Sequence, residues 1–265
     1  GRAAMRVEGG WPLESRAMPE TGYYLLQAGH QGGPDAISVG FDCGPLGFGS
    51  IAAHGHADAL NLTLRVGGVD IFVDPGTYDY FTYPEWRQYF RGTAAHCVLV
   101  VDGRDQSEML GPFLWGRQAM ARCLAWTPSV NGGEIIGEHD GYTILDDPVV
   151  HRRSLRLDGV LGELVIADEV IGRGRHEVAL YFHLTERARV LQTEENRYSV
   201  DVGGRTVALA FDGRMSVDVV AGGAELGLGW ISRGYHCRSA GAVILGRCDL
   251  EAPAVFETRV LMGRP

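Results

Sequence analysis

The residues best equipped for chemistry sit in Ala53-His54-Gly55-His56-Ala57-Asp58. In an extended segment, residues two apart point to one face, so His54, His56 and Asp58 share a face, with Gly55 and Ala57 opposite. Two adjacent imidazoles repel when protonated. The pair makes sense where one is neutral and bound, usually to a metal. A polar loop with two incidental histidines is the bland alternative. A second candidate is Asp74, where an apolar run meets Pro75-Gly76. Its carboxylate could turn the chain by bonding its own backbone, or could stand beside histidines of a neighbouring strand. The third is His96, at the start of a strand after the small residues Ala94 and Ala95. Two histidines and one aspartate make a first-row metal site with an open position. Imidazole plus carboxylate suits Zn²⁺, with Mn²⁺ or Fe²⁺ as alternatives. Spacing alone leaves open whether the three converge.

The elements that must position these residues are short strands. Alternating or β-rich runs fall at 23–26, 37–41, 60–66, 70–73, 98–101, 149–157, 163–166, 177–182, 198–202, 207–211, 243–245 and 255–261. Turn signals separate them, among them Gly67-Gly68, Asp102-Gly103, Asp158-Gly159 and Gly203-Gly204. Many short strands at this spacing predict an all-β, multi-stranded antiparallel sandwich. One segment reads as a helix, 84–91, with Pro84 at the first helical position. Residues 1–20 are poorly patterned and read as a lead-in to one large domain over 21–265.

Composition excludes several classes. The chain has 265 residues, 45% hydrophobic, with 38 Gly, enough for a large core with many turns. The net charge of -9 argues against a general nucleic-acid binder. It also requires any enzyme of acidic polymers to concentrate its basic residues locally. No apolar run is long enough to span a membrane, and no signal peptide is visible. The five cysteines are scattered, without a CxxC pair, and read as mostly free buried thiols. Their odd number mildly disfavours an oxidising compartment.

Four blocks share their order and spacing with a known family. They are Gly40-Phe41-Asp42-Cys43-Gly44-Pro45-Leu46-Gly47, His54-Gly55-His56-Ala57-Asp58-Ala59-Leu60, Val73-Asp74-Pro75-Gly76-Thr77-Tyr78, and Tyr89-Phe90-Arg91-Gly92-Thr93-Ala94-Ala95-His96. With looser agreement at Gly22-Tyr23-Tyr24, His151-Arg152-Arg153, Phe182-His183-Leu184 and Gly229-Trp230-Ile231-Ser232, the chain resembles the heparinase II/III-like polysaccharide lyases, which include heparinases and some alginate lyases. The resemblance covers about residues 20–262.

It implies a lectin-like super-sandwich that in full-length members follows an α/α toroid, with the substrate groove between the two. It implies a structural zinc on His56, Asp74 and His96, and a substrate-facing His54. One of Tyr78, Tyr80 and Tyr83 approaches the substrate. The toroid, absent from this sequence, supplies the remaining catalytic groups, so the chain alone is expected to be weak or inactive. Cys97 stands where relatives usually have Asn. The implied reaction is β-elimination from uronate-containing polysaccharides, and the implied location is the periplasm or outside the cell. Arg87, Arg91 and Arg104 are candidates for binding carboxylate or sulfate, and Trp86 and Tyr89 for a sugar platform. Asp58 is a candidate to fix an imidazole tautomer. The competing reading is a non-catalytic, metal-stabilised carbohydrate-binding or interaction domain in exopolysaccharide handling.

Overall fold

A computed structural model describes residues 10–223 and 227–263. Two large antiparallel sheets face each other. The first has nine strands. In spatial order they are Arg16–Met18, Tyr23–Ala28, Ile37–Asp42, Leu62–Val66, Val69–Phe72, Arg175–Leu184, Ala242–Glu251 and Ser216–Ala221, with Leu99–Val101 also pairing with Arg175–Leu184. The second has eight: Arg189–Glu194, Arg197–Val202, Arg205–Phe211, Ala254–Met262, Glu163–Ile171, Val150–Asp158, Gly132–His139 and Ala121–Ser129. Among the described residues no helix is long and apolar enough to cross a membrane.

Alternation drives the layering. Tyr24, Leu26 and Ala28 point inward from one strand, and Ile37, Val39 and Phe41 from the next. From the second sheet Leu155, Leu157, Leu164 and Ile166 join the same apolar core. A residue period of two presents one face of each strand to that core.

The helix forms as expected, at Pro84–Arg91, with Pro84 in its first turn and Glu85 at the positive end of its dipole. It buries Trp86 and Phe90 against Tyr78. The expected lead-in ends earlier than residue 20. Arg16–Met18 is an edge strand in register with Tyr23, Tyr24 and Leu25, and residues 1–9 lie outside the described part. Several strands carried little sequence signal. Ala121–Ser129 is mostly exposed, and Gly132–His139 mixes three glycines with the buried Glu138 and His139. Cys43 and Cys97 are buried free thiols, Cys123 and Cys248 half-buried and Cys237 exposed, all unpaired in disulfides.

Candidate metal centre and its aromatic rim

The site is built on loops that flank the strands Leu62–Val66, Val69–Phe72 and Leu99–Val101 of the nine-stranded sheet. The His54-Gly55-His56 segment is not a strand but a turn packed on neighbouring backbone. A Cβ on Gly55 would stand 3.0 Å from the Gly47 nitrogen, so a larger residue would push these backbones apart by a few tenths of an ångström. Ala57 N–H donates to the Arg91 carbonyl at 2.9 Å, which ties this segment to the end of the helix. The two histidines consequently point to different places: His54 is exposed and His56 half-buried.

His56, Asp58 and His96 bring one potential ligand atom each to within 4.8 Å of one another. Asp74 joins through His96, its Oδ2 lying 2.9 Å from His96 Nδ1. The other carboxylate oxygen accepts the Gly76 N–H at 2.9 Å, the turn-forming bond anticipated for an Asp before Pro-Gly. Asp74 therefore fills both roles considered for it. It closes its own turn and aims a carboxylate at a histidine.

Electrostatics fits a cation. His96 is fully buried, and its Nε2 has no hydrogen-bond partner. An orphaned buried nitrogen is costly unless something binds it. Burial disfavours the charge of His96, but the carboxylate of Asp74 outweighs burial and raises its pKa. Partial burial would raise Asp74, yet the charge and bond of His96 bring it down to about 2. Burial, then the charge of His96, pushes His56 down to about 3, which keeps a lone pair free. Asp58 is driven up to about 7 by burial, against the pull of His96 and with the push of Asp42 and Asp74. Three carboxylates crowd two imidazoles, and a small cavity of about 10 Å³ opens between Asp42, His56 and Asp58. Neutral His56, Asp58 and the unpartnered Nε2 of His96 lie at a spacing suited to Zn²⁺, with the contact from Asp74 fixing which nitrogen of His96 faces the ion.

Asn61 is the residue that sequence reasoning missed. Its Nδ2 donates to Asp74 Oδ2 at 3.1 Å, and its Oδ1 accepts the Cys97 N–H at 2.9 Å. One buried amide thus joins three segments of the site. Nothing in the local pattern distinguishes it from an ordinary strand-end asparagine. Cys97 itself points away from His96. Its Sγ accepts the His183 N–H at 3.2 Å.

The rim sorts the tyrosines. Tyr80 stands edge-on to His54, ring centroids 5.3 Å apart, and stacks on Phe113 and Tyr235. Tyr78 is buried with a φ of 62°, packs on Trp86 and Phe90, and its hydroxyl bonds Arg238. Tyr83 is 43% exposed and precedes the helix, its N–H held by Asp79.

The basic and aromatic candidates lie deeper than the sequence suggested. Arg87 and Arg91 are 1% and 0% exposed. Arg87 donates to the carbonyls of Pro112 and Ala53, and Arg91 donates to that of Gly111 while lying 4.1 Å over Trp115. They clamp the Met109–Trp115 hairpin to the helix and the His54 turn. Trp86 is 7% exposed under the Arg238 guanidinium, and the Tyr89 hydroxyl accepts the Trp230 N–H. Arg104 is exposed.

Comparison with known proteins assigns the family. The family model described as heparinase II/III-like, C-terminal, matches residues 12–253. A heparinase III, the BT4657 gene product with methylated lysines, superposes with a TM-score of 0.74 at 20% identity, over 95% of this chain and 36% of that one. A mutant heparan sulfate lyase HepC from Pedobacter heparinus gives 0.75 at 18% identity, over 96% and 37%. A further heparinase III structure gives 0.73 at 17%, over 94% and 36%. The chain spans little more than a third of the length of these proteins. No curated protein matches it by sequence. The strand-rich sandwich and the match across nearly the whole chain together place it in the heparinase II/III-like C-terminal domain family.

Proposed function

We propose that the chain is the β-sandwich part of a polysaccharide lyase that cleaves uronate-containing glycans, of the heparan sulfate type, by β-elimination. The observation that carries this reading is the pairing of Tyr80 with an exposed His54, which lies two residues along the chain from His56 of the candidate metal centre. Elimination needs a base for the weakly acidic C5 proton and an acid for the departing oxygen. Imidazole and phenol, in contact on an accessible surface, suit those two tasks. Tyr80 rather than Tyr78 takes the substrate-facing role, because the hydroxyl of Tyr78 is engaged by Arg238 below the surface.

The developing charge on the uronate carboxylate also needs neutralising. Arg87 and Arg91 are buried and bond backbone carbonyls, so they serve the rim as clamps, while Arg87 Nη1 and Arg91 Nε and Nη2 keep no hydrogen-bond partner. The neutralising group then comes from a separate N-terminal α/α domain across the groove.

His56, Asp58 and His96 would hold a zinc ion, which when bound would supply positive charge to the crowded carboxylates. The chain's own contribution is to hold the His54 turn rigid between that centre and the helix. His56 keeps a neutral imidazole, and Asp74 orients His96. Family membership is also the ground for a periplasmic or secreted location.

The test is the absorbance of the unsaturated product from heparan sulfate and alginate, with the chain alone and with an α/α domain supplied. Product only with the second domain is the expected result. Product from neither, with saccharide binding intact, would establish the carbohydrate-binding reading instead.

A further inference from the structure

Behind the site, Arg153 is completely buried in the strand Val150–Asp158 of the eight-stranded sheet. Its Nε and Nη2 donate to the two oxygens of Asp168, at 2.8 and 3.2 Å. Its Nη1 crosses to the other layer and donates to the carbonyls of Leu60, at 3.0 Å, and Cys97, at 2.7 Å. Those carbonyls belong to the two segments that carry the candidate ligands. Leu60 lies between Asp58 and Asn61, and Cys97 follows His96. Leu60 also adopts a φ of 65°, a left-handed turn that a leucine takes only when its surroundings hold it there.

Arg153 is itself held by a chain of oriented bonds. Gly141 N–H donates to His139 Nδ1 at 3.0 Å, which leaves the hydrogen on Nε2. His139 Nε2 therefore donates to His151 Nδ1 at 3.2 Å, and His151 Nε2 donates to Asp168 Oδ1 at 2.6 Å. Burial lowers the pKa of both imidazoles, so both stay neutral and each hydrogen has one direction.

We infer that Arg153 is a positioning residue for the metal centre: one guanidinium, oriented by Asp168, His151 and His139, sets the spacing between the Asp58–Asn61 turn and the His96–Cys97 segment. A hydrophobic residue would fill the same volume in a sandwich core. A guanidinium does what an apolar group cannot, because it reaches two carbonyls of the opposite layer from a single nitrogen. The inference rests on the reading of His56, Asp58 and His96 as metal ligands.

The test compares wild type with Arg153→Lys and with the charge-neutral pair Arg153→Met with Asp168→Asn. Readouts are the Co²⁺ d–d spectrum, zinc affinity by chelator competition, and residue-resolved amide exchange. Fold is checked by thermal melting. Expected are a folded Arg153→Lys with zinc affinity weakened roughly 10–100-fold, the scale for groups that orient ligands, an altered Co²⁺ spectrum, and faster exchange confined to Asn61 and Cys97. Folded variants with unchanged affinity, spectrum and exchange overturn it. So does general unfolding of both variants with every amide accelerated alike, since Arg153 would then stabilise the sandwich as a whole. Should wild type itself take up no metal, the metal reading fails separately. Amide exchange at Asn61 and Cys97 then decides the positioning role by itself.

Discussion

Replacing Asn61 by Ala is the sharpest single perturbation of the site. Two hydrogen bonds disappear. The first leaves the Cys97 N–H without a partner in a fully buried setting, and stranding a buried donor costs roughly 1–3 kcal/mol. The second is a bond to the carboxylate of Asp74, whose side chain is 39% exposed, so water restores much of it and its loss adds about 1 kcal/mol. Together the expected loss is about 2–4 kcal/mol. For a chain of this size one kcal/mol moves Tm by about 2–4 °C, so the midpoint should fall by roughly 5–15 °C. Calorimetry of the metal-free chain at neutral pH isolates this from ion binding. Asn61→Asp serves as the control: it retains an acceptor for Cys97 but sets a second negative charge beside Asp74. A Tm for Asn61→Ala within 2 °C of wild type would refute the claim that one amide joins the three segments.

Stability should also fall in acid through His183, which burial pushes down to about 4. The unfolded chain takes the proton first, so stability is lost as pH drops from about 6.5 to 4, by about 1.4 kcal/mol per pH unit. His183→Gln, which keeps a donor for the Ala94 carbonyl now bonded by Nε2, should flatten that slope by the same amount in pH-dependent melts. In the presence of the second domain, Tyr80→Phe should lower kcat by roughly 10²-fold or more. Tyr78→Phe should leave kcat within a fewfold and act on Tm through the loss of its Arg238 partner. Equal effects of the two would reverse the assignment of the rim. Chelation should lower Tm in wild type but not in His56→Ala, and elemental analysis should find zinc only in the former.

Much of the fold was readable because strands and turns are local. Alternation marked Tyr23–Ala28, Ile37–Asp42 and Glu163–Ile171, and a proline with one amphipathic turn marked Pro84–Arg91. The strands that escaped lack that signature. Ala121–Ser129 shows most of its residues to solvent, and Gly132–His139 buries Glu138 and His139 where an apolar residue would ordinarily sit. Burial there depends on partners that are distant in sequence: Arg122 and Arg152 for Glu138, and His151 for His139.

The candidate site divides along the same line. Residue type and order made His54, His56, Asp74 and His96 candidates, and the family resemblance joined them into one site. The sequence also carried the family, through four blocks whose spacing survives where overall identity does not. What it could not carry was direction. A turn packed on Gly47 sends His54 to the surface and His56 inward, where a strand would have put them on one face. Arg87 and Arg91 look like ligands for a substrate anion until they are found buried, each bonded to a backbone carbonyl. Asn61 and Arg153 carry no motif at all, and their roles arise only where loops separated by dozens of residues meet. Periodicity reports which face of an element is buried. Which atoms a buried polar group finds is decided by the packing of the two sheets, and that is a property of the tertiary structure.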